Sequence, residues 1–442
     1  MSKEKYLLVR AHYDKRVASV EPLGLEYLAG VMKEQNREYL FHDEILYSRF
    51  FRFKRILKKI EENNITAVCF TVMANKAWYV LEVIEKLKKT KPNLKILVGG
   101  PEVVINYKDF FLDSIDFVYY DHGLESFRTA IKNDLNINLI KSASGIAYRK
   151  NGKWISNPCG KPIEDYDVKP DRSLFYENKN KYRIIAKGHF ATMKASFSCP
   201  QKCNFCISRQ FNGCHYAERN IDNVVNEIIE IDNDKIWLCD DDFLVNKERV
   251  IKICNKLIEN NCYKTFMIFA RADSIVKCED IMPLLYKAGF RDMLVGLEAV
   301  DDKILDSYDK NSSVAINEKA VKILRDNVMV CVGLFVINYD FSHKNFREVH
   351  KFIRKQKLIW VLFSILIPFK GTKIHEEYKD ELYKYEYKRT DGTKLLMKAK
   401  KMSNYFFQVQ FALLYYLNYP RIYLASFLKT YDKKYANKGP VE

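Results

Sequence analysis

A chain of 442 residues is long for one hydrophobic core, so two globular domains and a tail are expected. With 48% hydrophobic and 29% charged residues it can bury a sizeable core unaided, which excludes a disordered chain and a disulfide-stapled miniature. The net charge of +17 comes largely from lysines on polar helix faces, such as Lys54, Lys58, Lys59, Lys86, Lys88, Lys89 and Lys91; no RNA-binding signature accompanies them, so no nucleic-acid partner is expected.

The N-terminus leads into an apolar run at 6–9 that soon meets Arg10, His12 and Asp14, which reads as a first strand and not a signal peptide. No run of about 18 uncharged apolar residues follows, so no transmembrane segment is expected and the protein reads as cytoplasmic. Further strands at 39–41, 67–71, 96–98 and 117–119 alternate with helical spacing at 23–32, 53–60, 79–87 and after Gly123. That alternation predicts an α/β, doubly wound, Rossmann-like domain over 1–138, with ligands at the carboxyl ends of its strands. Residues 139–181 break the rhythm: strands at 145–148 and 153–155 flank the turn Asn151-Gly152, and a charged, proline-containing linker follows.

Six more strands, at 190–197, 235–239, 266–269, 293–295, 330–337 and 362–367, each precede a helical segment. They predict a partial (β/α)6 barrel of TIM type over 182–380, with its site at the strand carboxyl ends. The rest, 381–442, reads as helical and aromatic: Tyr405, Phe406, Phe407, Phe411, Tyr415, Tyr416 and Tyr419, with Lys429, Lys433 and Lys434 beyond. A cap over the barrel is the plain expectation, and peripheral contact with a membrane face is the alternative.

Eleven cysteines in such a chain are thiols, and Cys69, Cys239, Cys254, Cys262, Cys278 and Cys331 read as small buried hydrophobes. Cys199, Cys203 and Cys206 are different. They stand in C-x3-C-x2-C spacing just after a strand, and a tight loop of that kind can ligate three irons of a cubane cluster, leaving the fourth open. A closed zinc site, with Cys214 or His215 as fourth ligand, is the competing reading.

With Phe205 just before the third cysteine, this loop resembles the signature of the radical S-adenosylmethionine (SAM) superfamily. The resemblance runs over roughly 182–380. Asp240 and Asp241, in an Asp-Asp-Asp run with Asp242, resemble the polar residues near the SAM amino group. Arg271 and Ser274 resemble contacts to its carboxylate and ribose, Gly296-Leu297-Glu298 the family's Gly-x-Glu, and Pro368–Thr372 its Pro-x-x-Gly-Thr. The resemblance implies a 4Fe-4S cluster, SAM bound at the open iron, and reductive cleavage to a 5′-deoxyadenosyl radical.

The first domain resembles the cobalamin-binding domain that precedes many radical SAM cores. The resemblance lies in the segment from Glu21 to Gly30, in Val98-Gly99-Gly100-Pro101-Glu102, and in 116–120 followed by Gly123-Leu124-Glu125, where this chain departs from the usual Gly-Glu-Gly-Glu. Gly99, Gly100 and Gly123 are the expected cobalamin contacts. The Asp-x-His-x-x-Gly motif is absent; His12 and His42 are the nearby substitutes, and cobalt without a protein histidine is expected. The combination resembles class B radical SAM methyltransferases, which implies methylation of an unactivated carbon of a small-molecule or lipid substrate, with flavodoxin or ferredoxin as electron donor. Cyclisation or rearrangement without methyl transfer is the alternative, and a non-catalytic zinc or cobalamin regulator the reading from another class.

Overall fold

The computed structural model describes residues 4–11, 19–48, 50–121, 124–184, 187–383 and 387–427, with side chains placed up to Asn418. The chain divides into two compact units, Met1–His189 with Gln210–His215 and Glu386–Lys388, and Phe190–Arg209 with Tyr216–Tyr385 and Arg389–Glu442.

The first unit is built on strands β1 (Tyr6–Arg10), β2 (Tyr39–Asp43), β3 (Ala67–Thr71), β4 (Lys95–Gly99) and β5 (Phe117–Tyr119). They pair in parallel in the order β2-β1-β3-β4-β5, a doubly wound arrangement. Each strand is apolar on both faces because helices cover both. Leu7, Val9, Val68, Phe70, Ile96 and Val98 fill one core layer, while Tyr6, Leu8, Ala67, Cys69 and Leu97 fill the other. The Asn151-Gly152 hairpin, β6 (Ile146–Lys150) and β7 (Lys153–Ser156), extends this sheet as two antiparallel strands beyond β5. Both turn residues have positive φ, as a two-residue hairpin turn asks.

The second unit carries β8 (Ala191–Met193), β9 (Lys235–Leu238), β10 (Thr265–Arg271), β11 (Phe290–Glu298), β12 (Val330–Ile337) and β13 (Trp360–Ile365). All pair in parallel and in sequence order, as an open barrel of six strands requires. The strand expected over 190–197 is divided in the structure. Its second part, Ser196–Phe197, leaves the large sheet and pairs antiparallel with Ala217–Glu218. The cause is Asp240, fully buried at the end of β9, which accepts the Ala195 N–H at 3.1 Å and the Ser196 hydroxyl, pulling the chain out of the sheet. Of the region 381–442 expected to be helical, Asn404–Phe427 forms one long helix, packed on β13 and on the helix His343–Lys355, whereas 387–403 is turns and one short 3-10 helix, Tyr387–Arg389. Among the described residues no helix is long and apolar enough to cross a membrane.

Of the isolated cysteines, Cys69, Cys254 and Cys278 are buried, while Cys239, Cys262 and Cys331 are half-buried.

Candidate active site

The cysteine loop begins at Ser198, whose backbone is left-handed at φ 64° and whose hydroxyl donates to the Arg209 carbonyl at 3.2 Å. The Cys206 N–H closes the C-x2-C half on the Cys203 carbonyl, 3.2 Å away. Asn204, buried between two of the cysteines, anchors the loop from outside the motif. Its N–H donates to the Tyr308 carbonyl at 3.1 Å, its side-chain amide to the Ser307 carbonyl at 2.7 Å, and its own carbonyl accepts from Ile374 at 3.1 Å. Phe205 packs its ring against Tyr308, with centroids 5.1 Å apart.

Strand ends bring polar groups to this loop. Arg271, last residue of β10, donates from Nη1 to Cys203 Sγ at 3.2 Å. It is steered by Asp273, 2.8 Å from its Nε, and by the Lys310 carbonyl, which accepts from Nη2. Ser274 donates to Asp242 at 2.6 Å, and Asp242 also accepts from the Leu244 N–H. Burial pushes the Asp242 carboxyl up to about 6 and raises Asp240 as well. Burial likewise pushes the Cys199 thiol up to about 12, with the Asp242 and Asp241 charges adding, and raises Cys206, with the Asp241 charge adding. Asp240 is turned inward to the chain bend described above, while Asp241 beside it is half-buried.

Glu298 ends β11 with a left-handed backbone, φ 59°, and pairs with Lys310 Nζ at 2.8 Å; both are buried. A Cβ added at Gly296 would stand 2.5 Å from Glu298 Oε1 and 2.9 Å from Lys310 Nζ, so this glycine makes room for the pair. Thr372 accepts from the His375 N–H at 3.3 Å and caps Lys373–Tyr378, the helix that holds Asn204.

In the first unit, the two glycines at the end of β4 have different environments. At Gly100, φ is 104°, and an added Cβ would lie 2.8 Å from Thr71 Oγ1 and 2.9 Å from the Val72 nitrogen, so the neighbouring strand demands glycine there. At Gly99 an added Cβ would meet only Tyr119, at 3.5 Å, an ordinary contact. Among the described residues no neighbour requires Gly99 to be bare, which suits a strand end left open for a flat ligand. Gly123 and His12 lie outside the described residues.

The segment from Glu21 to Gly30 is tied to the linker. A Cβ at Gly30 would stand 2.2 Å from the Lys169 carbonyl, and Arg172 pairs with Glu21 and lies 3.8 Å from Glu26. Burial raises the Glu26 carboxyl well above its ordinary range.

His42, at the end of β2, is 2% exposed and stacks on Tyr47 with ring centroids 5.1 Å apart. Burial lowers its pKa from 6.5 to about 4, so it is neutral in the fold. A histidine with a lowered folded pKa contributes its full stability above about 6.5 and loses it as the pH falls toward 4. The gap is worth about 3 kcal/mol. In His42→Phe, the melting temperature should fall less between pH 7.5 and pH 5 than in the parent, as scanning calorimetry would measure. Parallel curves would show that His42 is not the acid-sensitive group.

Comparison with known families decides between the readings of this constellation. Residues 10–131 match the B12 binding domain, and residues 193–353 match the Radical SAM superfamily. The chain belongs to the cobalamin-dependent radical SAM enzymes. Its cofactors are a 4Fe-4S cluster, SAM and cobalamin. This radical SAM enzyme is 23% identical over 362 residues to the uncharacterized methyltransferase PH0819 of Pyrococcus horikoshii, covering 80% of this chain and 78% of that one. It is equally 23% identical, over 394 residues, to the anaerobic magnesium-protoporphyrin IX monomethyl ester cyclase of Rubrivivax gelatinosus, covering 86% of this chain and 70% of the other. Among solved structures it is similar to the cobalamin-dependent SAM radical enzyme OxsB with aqua-cobalamin and SAM bound, at TM-score 0.67 and 17% identity. That match covers 86% of this chain but only 55% of OxsB, so the chain spans about half of that protein.

The donor set of the radical SAM unit fits a cluster. Among the described residues no three or more His, Cys, Asp or Glu side chains converge on one point as a single metal ion would need. A cubane asks for something else, one thiolate per iron from one loop, and an N–H donor on a ligating sulfur (Arg271 on Cys203) belongs to the set of contacts that tune such clusters. Sequence reasoning missed Asn204, Asp273, Tyr308 and Lys310. Asn204 could have been found, because a small polar residue inside a ligand loop must satisfy its own backbone. Lys310 left no such signal.

Proposed function

We propose that this enzyme methylates an unactivated carbon of a small-molecule or lipid substrate, with Cys199, Cys203 and Cys206 holding the cluster. The observation that carries the reading is the guanidinium of Arg271 on Cys203 Sγ, in a chain whose other unit is a B12 binding domain. When bound, the cluster supplies the electron that cleaves SAM reductively, and cobalamin supplies the methyl carrier. The chain's own residues then have distinct tasks. Asn204 and Phe205 anchor the loop that carries the three thiols. Arg271 donates to a ligating sulfur and is itself held by Asp273 and the Lys310 carbonyl. Asp241 and Ser274 offer an acceptor and a hydroxyl to the amino acid and ribose parts of SAM, and Glu298, held by Lys310, offers a carboxylate at the end of the next strand. Gly99 leaves the end of β4 bare for the corrin face, next to Gly100; Gly123 is kept as a cobalamin contact on the sequence resemblance alone.

The electron donor would be a flavodoxin or ferredoxin and the setting cytoplasmic, where low-potential electrons and reduced thiols are available. Domain limits of 1–138, 139–181, 182–380 and 381–442 serve as working boundaries for this assignment. The relative named as a cyclase favours the second reading, cyclisation without methyl transfer.

The test is anaerobic production in cobalamin-supplemented cells, followed by assay of iron, cobalamin and the fate of SAM labelled in its methyl group. Cluster and cobalamin in near-equal amounts, with label passing to a carbon of added substrate, is the expected result. Deoxyadenosine formation with the label retained on SAM-derived products and none on substrate would favour cyclisation. A more local test is Gly99→Leu. The added Cβ would make only an ordinary contact with Tyr119, so the fold should hold, but bound cobalamin should fall by at least about tenfold while iron content holds. Undiminished cobalamin would remove Gly99 from the site.

A further inference from the structure

The helix Asn404–Phe427 has an apolar face that its own domain does not use. Phe407, Phe411, Leu414 and Asn418 are buried, and the Tyr415 hydroxyl donates to the Phe363 carbonyl of β13. That face is the barrel cap. On the other side Tyr405, Phe406, Val409, Ala412, Leu413, Tyr416 and Leu417 recur at helical spacing and are exposed, Tyr405 at 73%, Phe406 at 54% and Tyr416 at 74%. A helix capping a barrel should be polar outside. Here no Asp, Glu, Lys or Arg occurs between Lys401 and Arg421. The stripe is continuous over three turns, whereas scattered exposed apolar residues would need no account.

Charge identifies the occupant. Lys398 and Lys401 immediately precede the helix (Lys400 between them pairs with Glu381 at 3.0 Å), and Lys429, Lys433, Lys434 and Lys438 follow it in sequence, against Asp432 and Glu442. Pairing of two copies through the stripe would set basic flanks against basic flanks in either orientation. Residues 428–442 are too rich in lysine to supply an apolar cover. An interface that accepts an uncharged aromatic stripe and attracts cations at both ends is the surface of an anionic bilayer. Tyrosine and phenylalanine sit at headgroup depth there, while lysines meet the phosphates. One face of the helix is already committed to protein, so it would lie in the plane of the membrane and not cross it.

We infer that the outward face of Asn404–Phe427 docks the enzyme on anionic lipid membranes. The inference stands apart from the chemistry proposed above, and holds or fails whichever reaction the site performs.

The experiment is flotation of the full-length, cluster-loaded protein with two vesicle types, phosphatidylcholine alone and phosphatidylcholine mixed with phosphatidylglycerol. The parent should float with the mixed vesicles, and raised salt should weaken the association. The triple variant Phe406→Ser, Leu413→Ser, Tyr416→Ser changes only exposed positions, so its melting temperature and iron content should match the parent while vesicle affinity drops by more than about tenfold. Parent protein that floats with neither vesicle would overturn the inference, as would a triple variant that binds as well as the parent. A concentration-dependent dimer that the triple variant abolishes, with no lipid binding, would also overturn it and assign the face to a second copy of the chain.

Discussion

Cys203→Ala should leave a folded protein that holds almost no iron and forms no deoxyadenosine from SAM. The physical case rests on what the sulfur does and does not support. Its one described protein partner is the Arg271 guanidinium, and Arg271 keeps Asp273 and the Lys310 carbonyl when the sulfur is gone. The Cys206 N–H bonds the backbone carbonyl of residue 203, which alanine retains. The loop is otherwise anchored through Asn204 and Phe205. The melting temperature of the metal-free protein should therefore move little. Cluster assembly, by contrast, needs each of three thiolates for a separate iron, so the loss should be nearly complete and not graded. Cys214→Ala provides the comparison. Cys214 is exposed, left-handed at φ 61°, and stands outside the C-x3-C-x2-C spacing, so iron content and SAM cleavage should be unchanged. Iron retained in the Cys203 variant and lost in the Cys214 variant would reverse the ligand assignment. Zinc in place of iron in the anaerobically isolated parent would favour the closed-site alternative.

The elements that announced themselves in the sequence are those whose physics is local. Strand periodicity marked β3 and β12 at their observed limits, because buried parallel strands are continuous apolar runs and β-branched or aromatic residues fill them. The Asn151-Gly152 turn marked its hairpin through two positive-φ positions. The division of 190–197 was not legible. It depends on the Asp240 carboxylate, about 45 positions away, taking the Ala195 N–H and the Ser196 hydroxyl, and no local pattern encodes that partnership. The site shows the same contrast. Three thiols in fixed spacing signal a cluster loop by themselves. The support around them, Tyr308 under Phe205 and Lys310 behind Arg271 and Glu298, comes from a segment about a hundred residues on. Glycines were legible as special but not as to why: Gly100 is fixed by the Val72 backbone, Gly30 by Lys169 and Gly296 by a salt bridge, which leaves Gly99 as the one among these whose bareness no atom of the described residues explains.

Lys310→Met should lower the melting temperature of the radical SAM unit by roughly 10 °C, a larger loss than any surface ion pair could produce. The reasoning turns on burial. Lys310 and Glu298 side chains are 5% and 10% exposed and 2.8 Å apart, so each neutralises a charge that the other would otherwise leave in low dielectric. Removing one member of such a pair costs about 3–5 kcal/mol, chiefly through the orphaned charge. If that is the mechanism, adding Glu298→Gln to Lys310→Met should restore at least half of the lost stability, because the double variant has no buried charge left to solvate. Simple loss of packing predicts the opposite, with the second change adding to the first. Function should not return with stability. Glu298 is the carboxylate we propose for SAM, and the Lys310 carbonyl accepts from the guanidinium that donates to Cys203, so the double variant should fold yet bind SAM weakly in an equilibrium titration. Recovery of both stability and SAM affinity would make the pair a charge-neutralising structural device with no part in binding SAM. Recovery of stability without affinity would place Glu298 at the ligand and explain why Gly296 must lack a side chain beside it.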